Sequence, residues 1–391
     1  MKKQKKIYLH IGTQKTGTST IQSFLNHNHE KLEKLNYTAF VPETDTYPDN
    51  SLQLRNIIEL IIKTAREGGS HWDKHQRQSL LNSIKPVKEA TTDNIILSDE
   101  LFWNTLRTSN QRTLFFGFTD MLQEFSELSV IVYLRRQDWF LMSLYQQRLR
   151  GGNMNGMRCH EWIAPIIRSS RTISNYELYI KHLLSHFNKS NIIVRPFETT
   201  QFDEQSLLSD FLNSVGLKKS GELETPVTRR NPGLSPILAE IIRCLSVYHR
   251  TRDTIIPFLE NRKNTQLFNQ KWQHDFLSPQ ERIKILNRYQ SGNQWIAREF
   301  LGRGDGKLFQ EPLPDIHMPW KPYKLEPEEV RTFFSNADFL EENQRAVLQE
   351  QVLHVLSHPG MVKTRLFQRK IRQTIRNKLE KYRIASIKHR H

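Results

Sequence analysis

Residues 7–20 read IYLHIGTQKTGTST and place a strand, a glycine-bearing loop and a helix start next to each other. Residues 7–11 predict a short buried strand that Gly12 ends, and a helix is predicted from about Gly17 to Leu35. A loop between a strand and a helix suits an anion, because backbone N–H groups and the helix N-terminus converge there. We therefore expect a phosphate-type site at residues 12–19, the alternative being an ordinary Gly/Thr turn.

The pattern of a short apolar strand recurs at 94–98, 129–134 and 191–195. Helices are predicted at 137–150, 174–187 and 203–216. Strands that alternate with helices are typical of βαβ units. The sequence therefore predicts an α/β fold, in which a parallel β-sheet carries helices on both faces.

Past residue 216 the strand signal fades and only helices are expected. Ser278-Pro279-Gln280-Glu281 is a capping box with proline at the first helical position, and it predicts a helix toward Leu301. Further helices are predicted at 327–334 and 342–357. We expect a domain at 1–305, with its sheet core at 5–218 and a helical subdomain at 219–305. A linker and a helical extension with a basic tail would fill 306–391.

The chain has 391 residues and a net charge of +16, most of it near the end. Residues 363–391 contain eleven Lys and Arg against one Glu, a net +10, which leaves +6 for the rest. Apolar residues at 367, 371, 375 and 379 predict a basic amphipathic helix. An anionic membrane surface or self-docking is favoured over nucleic acid, because no nucleic-acid-binding fold accompanies the helix.

Two cysteines, Cys159 and Cys244, are too few for a disulfide framework and lack metal-ligand spacing. The apolar stretch behind the basic start is too short for a signal peptide or a membrane span. These features predict a cytoplasmic protein without disulfides or a metal. The tail would provide contact with the inner face of the membrane.

The loop nearly fits the nucleotide P-loop pattern G-x-x-x-x-G-K-[ST], but Thr18 stands where that pattern has lysine. The lysine lies three residues earlier, as Lys15. Without the usual lysine the loop would lack the charge that holds β- and γ-phosphates. An ordinary ATPase or GTPase is therefore disfavoured.

The run K-T-G-T-S-T resembles the 5′-phosphosulfate loop of sulfotransferases that use 3′-phosphoadenosine 5′-phosphosulfate (PAPS). The resemblance implies that Lys15 contacts the bridging oxygen and the sulfuryl group. It implies contacts to the 5′-phosphate from the residues that follow, namely Thr16, Gly17, Thr18, Ser19 and Thr20. It also implies a P-loop-like sheet and PAPS chemistry that needs no metal.

A second motif resembles the 3′-phosphate site of the same family, in which a strand ends in Leu-Arg and a serine follows eight residues later. Here the residues are Arg135 and Ser143. A fixed guanidinium with a hydroxyl donor suits a phosphate. Arg136 follows directly, although the register favours Arg135; two solvated arginines are the alternative. Arg229 and Arg230 fall where many members place a basic loop over the nucleotide, which implies a donor contact for Arg230.

The sequence signals for an acceptor site are less specific than those for the donor site. Sulfuryl transfer needs a general base, and Ser98-Asp99-Glu100 follows a buried strand at the sheet edge where ligands collect. Glu100 is the preferred base and Asp99 the second, and an N-cap role is equally compatible. His10 is more simply a structural residue. For Phe102, Trp103 and Trp139, core packing is favoured over an acceptor pocket.

The sequence therefore predicts a PAPS-dependent sulfotransferase whose acceptor is a hydroxyl, on a carbohydrate, glycan or glycolipid. The alternative is a P-loop-like nucleotide-binding kinase or a non-catalytic relative. The displaced lysine and the pair Arg135 and Ser143 discriminate between them, because ATP has no 3′-phosphate.

Overall fold

A computed structural model of the chain describes residues 4–42, 54–152, 154–218, 223–225, 234–248 and 276–359. Within these residues no helix is long and apolar enough to cross a membrane. The amphipathic helix expected in the basic tail lies outside the described residues.

Five parallel strands form the sheet in the order β2-β3-β1-β4-β5. They are β1 Lys5–His10, β2 Tyr37–Phe40, β3 Asn94–Ser98, β4 Ser126–Leu134 and β5 Ile192–Pro196. Four of them were predicted. The strand β2 was missed because YTAF is a four-residue edge strand with two half-buried residues in its middle, too short for a periodic signal.

The described helices lie between and after these strands. They are α1 Thr18–His27, α2 His29–Lys34, α3 Leu54–Arg66, α4 Lys74–Ser83, α5 Lys85–Glu89, α6 Phe102–Thr105, α7 Ser109–Gln123, α8 Gln137–Arg150, α9 Cys159–Arg168, α10 Tyr176–Leu184, α11 Leu207–Ser214, α12 Pro236–Leu245, α13 Pro279–Leu301, α14 Pro327–Ser335 and α15 Glu342–Ser357. Three short 3₁₀ turns also occur, Lys189–Asn191, Thr199–Gln201 and Asp203–Gln205.

Two helix predictions were wrong in detail. The helix expected to run from Gly17 to Leu35 is broken at Asn28, whose Nδ2 donates to the carbonyl oxygens of Phe24 and Glu224 at 2.9 and 2.8 Å. The helix expected from Asp203 begins at Leu207, because Glu204 has a left-handed φ of 53°. By contrast, the capping box at Ser278 is confirmed: Ser278 Oγ accepts from Glu281 N at 3.2 Å and Glu281 Oε2 accepts from Ser278 N at 2.8 Å.

Both faces of the sheet are covered by helices, as the sequence predicted. Alternate strand residues such as Leu9, Leu97 and Val130 face a core that α3, α7, α10 and α13 complete. The intervening residues, Ile96 and Ile131 among them, face a second core with α1, α2 and α11. The alternation follows from the two-residue period of a strand, so a buried parallel sheet needs apolar residues on both faces.

The chain divides into two compact units. The first comprises residues 1–141, 166–230 and 282–314 and contains the whole sheet. The second comprises residues 142–165, 231–281 and 315–391. In the second unit Arg243 pairs with Glu240 and donates to the carbonyl oxygen of Gly156 at 2.9 Å. Cys159 and Cys244 are both buried there as free thiols, without a disulfide.

Asp210 on α11 joins three elements of the first unit. Its fully buried carboxylate pairs with Arg195 of β5, accepts a hydrogen bond from the Tyr133 hydroxyl of β4 at 2.5 Å, and accepts one from Asp203 N at 3.2 Å. A buried carboxylate with these partners is costly to remove, because the guanidinium then loses its nearest carboxylate and the buried phenol loses a strong acceptor.

We expect Asp210→Ala to lower the free energy of unfolding by roughly 3 kcal/mol. Glu124→Ala removes an exposed carboxylate that pairs with Arg77 at 3.0 Å, and it should cost less than about 1 kcal/mol. Urea unfolding followed by circular dichroism measures both. Equal losses in the two variants would show that Asp210 contributes no more than a surface pair.

Candidate functional site

The strand order creates a crevice at the carboxyl end of β1. From β1 the chain runs to β2 and β3 on one side, and it then crosses to β4 and β5 on the other. In open parallel sheets, ligands bind outside the carboxyl ends of the strands at the position where the order reverses. The loop that leaves β1 at Gly12 therefore lies at this position.

The adjacent strand β4 fixes the loop. Thr13 donates to the carbonyl oxygen of Tyr133 from its N–H at 2.8 Å and from its hydroxyl at 3.0 Å. Tyr133 N in turn donates to Gly12 O at 2.6 Å. The Thr16 hydroxyl donates to Thr13 O at 2.5 Å, so Thr16 closes the loop on itself. These bonds hold the loop backbone before any ligand is present.

Two glycines are required by close approaches. Gly12 has a φ of 102°, and a Cβ there would lie 3.0 Å from the Cβ of Glu100. Gly17 has a φ of 74°, and a Cβ there would overlap the side chain of Leu207. Lys15 between them also has a left-handed φ, 66°, which is costly for a residue other than glycine. Such strained backbone is typical of binding sites.

The start of α1 offers donors without a protein partner. Gly17 is its N-cap and provides no side-chain cap, and the first turn has no acidic residue. Within the described residues the buried hydroxyl of Thr18 has no hydrogen-bond partner. Ser19 is exposed and Thr20 half-buried on the same turn. Free backbone N–H groups, a buried unpaired hydroxyl and the helix dipole together favour an anion at this position.

Arg135, from the end of β4, meets this loop directly. Its Nη1 donates to the carbonyl oxygen of Lys15 at 3.1 Å, across 120 positions of sequence. The guanidinium lies 5.7 Å from the ring centroid of Phe197, and the Tyr176 hydroxyl donates to Arg135 O at 2.6 Å. Burial lowers the pKa of Arg135, which reflects the cost of keeping this charge largely out of water.

Arg136 has a different environment. Its guanidinium is buried and bonds Asp138 at 2.9 and 3.0 Å, and it also donates to the carbonyl oxygens of Glu311 and Pro312. Arg282 shares the Asp138 carboxylate at 2.8 Å. Arg136 is therefore committed to a structural network, whereas Arg135 reaches the loop.

A cavity of about 610 Å³ opens beside Arg135. Its wall includes Trp139, Phe197 and Thr199. The prediction that Trp139 packs in the core was wrong. Trp139 lines this cavity, and its Nε1 donates to the Glu311 carboxylate at 2.9 Å. Phe102 and Trp103 are core residues as predicted.

The donor contacts predicted for Ser143 and Arg230 stay predictions. Ser143 lies half-buried on α8. Arg229 and Arg230 lie outside the described residues.

The two neighbouring carboxylates after β3 differ in environment. Asp99 is fully buried, accepts from Leu101 N at 2.9 Å and pairs with Arg55 at 3.0 Å. Burial raises its pKa, while those two partners oppose the rise. Glu100 is half-buried beside Gly12, and its Oε2 lies 3.4 Å from Gln22 Nε2. The turn-capping role therefore falls to Asp99, and the Glu100 carboxylate stays at the loop.

His10 lies at the end of β1, fully buried, with Nδ1 at 2.9 Å from Ser98 Oγ. Its ring contacts the rings of Tyr133 and Phe211 edge-on. Burial lowers its pKa to about 3, so the imidazole is neutral at physiological pH. Its Nε2 has no hydrogen-bond partner among the described residues.

Several residues at the site were missed from sequence. Gln22 donates to Ser98 O at 3.1 Å from the buried face of α1, between Ile21 and Phe24. A polar residue on an otherwise apolar helical face was the available signal. Phe197 and Tyr176 carried no comparable signal, because their roles depend on which elements become neighbours. No group of three or more metal-ligating side chains is found among the residues described.

No protein-family model and no solved structure match the chain. It is similar to an uncharacterized protein of Archaeoglobus fulgidus, with 26% identity over 184 residues. The match covers 44% of this chain and 46% of that protein, so the chain spans about half the length of the curated relative that it matches.

The buried neutral His10 predicts a pH dependence of stability. Its folded pKa of about 3 lies below the ordinary 6.5, so between these values the unfolded chain binds a proton that the folded chain does not. The free energy of unfolding should fall as the pH drops through this range, by roughly 2 kcal/mol between about pH 7 and about pH 4.5.

The matching measurement is urea unfolding at both pH values. His10→Gln should lose this part of the pH dependence, whereas His75→Gln, at an exposed position, should keep it. An unchanged pH dependence in His10→Gln would contradict the assignment.

Proposed function

We propose that the protein is a PAPS-dependent sulfotransferase with a P-loop-like sheet. One observation carries the proposal: the guanidinium of Arg135 bonds the carbonyl oxygen of Lys15. Arg135 belongs to one of the two motifs that resemble the donor site of that family and Lys15 to the other, and 120 positions of sequence separate these two residues. A phosphate loop with an arginine fixed at its side suits a donor that is phosphorylated at both ends of its ribose.

The residues present fit such a donor. The first turn of α1 and the buried, unpaired hydroxyl of Thr18 would hold the 5′-phosphosulfate. Arg135 would bind the 3′-phosphate. The cavity of about 610 Å³ beside it, with the ring of Phe197 on its wall, has the size of a nucleoside site.

The transfer itself needs two groups from this chain. The acceptor hydroxyl attacks sulfur, a new O–S bond forms, and the bond from sulfur to the phosphate oxygen breaks to release adenosine 3′,5′-bisphosphate. Lys15 would stabilise the negative charge that develops on this phosphate oxygen. Glu100, beside Gly12 and not engaged in an ion pair within the described residues, would accept the proton of the hydroxyl.

The acceptor is proposed as a hydroxyl on a carbohydrate or glycan, on the basis of the family resemblance alone. Contact of the basic tail with the inner face of a membrane stays a prediction for residues 363–391. A cytoplasmic location stays a prediction as well.

Calorimetric titration with adenosine 3′,5′-bisphosphate, ATP and GTP tests the donor site. We expect the bisphosphate to bind most tightly, because only it presents both phosphates that the loop and Arg135 would hold. Arg135→Ala should weaken this binding roughly tenfold or more. Arg77→Ala, an exposed arginine paired with Glu124, is the control and should bind normally. Tight binding of ATP without binding of the bisphosphate would favour the nucleotide-binding kinase instead.

Turnover with radiolabelled PAPS and a panel of saccharides tests the chemical roles. Lys15→Ala should abolish transfer, since it removes the positive charge that would stabilise the leaving phosphate. Glu100→Gln should lower kcat by roughly a hundredfold or more with little change in donor affinity. Asp99→Asn reports on the second candidate base, and a larger kcat loss there than in Glu100→Gln would exchange the two roles. A Lys15→Ala enzyme with full activity would overturn the mechanism.

A further inference from the structure

A second cavity of the first unit is lined mainly by polar and basic residues. It has a volume of about 620 Å³ and lies among the start of α7, residues 169–175 and the face of α10 that carries His182. Arg107, Arg112 and Arg171 line it, and no carboxylate of the described residues does. Its remaining wall is mainly serine, threonine and asparagine.

The three arginines have no carboxylate partner among the described residues, and Arg107 and Arg171 are exposed, whereas Arg112 is half-buried. Elsewhere in this unit buried or half-buried arginines such as Arg136 and Arg195 pair with buried aspartates. Within the described residues Arg107, Arg112 and Arg171 form no ion pair. Arg112 is half-buried, and its guanidinium makes only a long contact, 3.5 Å, to Leu106 O. Uncompensated positive charge around a cavity attracts an anion.

Tyr179 of α10 lies near Arg107 and Arg112 but is not part of the cavity wall. Its side chain is 1% exposed and stacks on Trp103, with ring centroids 4.8 Å apart. Its hydroxyl has no hydrogen-bond partner in the described part of the chain. Burial raises the pKa of Tyr179 to about 12, and the neighbouring charges of Arg107 and Arg112 oppose that rise. The phenol is therefore protonated, and its hydroxyl is buried rather than part of the cavity wall.

Two helix N-termini reach the cavity wall. α7 is capped by Thr108, whose hydroxyl accepts from Gln111 N at 3.3 Å, and α10 by Asn175, whose Oδ1 accepts from Leu178 N at 3.4 Å. The one acidic residue in these first turns, Glu177, bonds Lys181 at 2.6 Å. The helix dipoles therefore add to the positive potential of the arginines.

We propose that this cavity is a second anion-binding site, which takes a sulfate or phosphate ester through Arg107 and Arg112. Guanidiniums suit tetrahedral oxyanions because their fixed N–H groups donate to two oxygens at once. The cavity exceeds the size of a bare oxyanion, which favours an ester carried on a larger polar molecule. None of these residues belongs to the loop or to the end of β4, so the site stands independently of the proposed transfer.

Calorimetry of the intact chain with galactose 6-sulfate, galactose and sodium sulfate tests the site. We expect galactose 6-sulfate to bind and unmodified galactose not to bind. The double variant Arg107→Gln/Arg112→Gln should weaken binding roughly a hundredfold. Arg77→Gln removes an exposed charge elsewhere and should bind as the parent does.

Saturating adenosine 3′,5′-bisphosphate separates this cavity from the loop, and it should leave binding of galactose 6-sulfate unchanged. Equal affinity for sodium sulfate, lost in the same variants, would support the site and identify a free oxyanion as its ligand. Displacement by the bisphosphate, equal binding to the double variant, or no binding of either sulfate probe would overturn the proposal. Circular dichroism of each variant ensures that lost binding does not reflect lost structure.

Discussion

The junction between β1 and β4 determines the geometry of the site. Past the end of β1 the backbone continues to bond β4, through Thr13 N to Tyr133 O and Tyr133 N to Gly12 O. The following residues must then turn within a few positions into α1, which forces the left-handed backbone at Lys15 and Gly17. Because the turn is held by the sheet rather than by a ligand, its donors are oriented before binding. Orientation in advance is what makes such donors effective for developing charge.

The same junction explains how charge is distributed around the loop. Arg135 follows Tyr133, whose backbone bonds the loop, by two positions. Its guanidinium therefore reaches Lys15 O with little conformational freedom. On the opposite side, Asp99 accepts from Arg55 and Leu101 N, while within the described residues the Glu100 carboxylate has one long contact, with Gln22. Of these two adjacent carboxylates, Asp99 therefore has a structural role, whereas Glu100 lies at the loop. The neutral His10 beneath them adds no charge.

Local patterns determined which parts of the fold were predictable. Apolar runs identified four strands, and the capping residues at Ser278 identified the start of α13 because the cap is a contact among neighbours in sequence. The break at Asn28 was not predictable, since its side chain bonds Glu224, 196 positions away. The loop was recognisable from its own residues. Its contact with Arg135 follows from the strand order, which no local pattern contains.

The two proposed anion sites differ in how they would select a ligand. At the loop, the donors are mainly backbone groups and a buried hydroxyl, which have one position and therefore select by shape. In the second cavity, the donors are long arginine side chains, which adapt to several anions but lose rotamer freedom on binding. The loop is therefore suited to one defined donor molecule, whereas the arginine cavity is suited to a class of anionic esters.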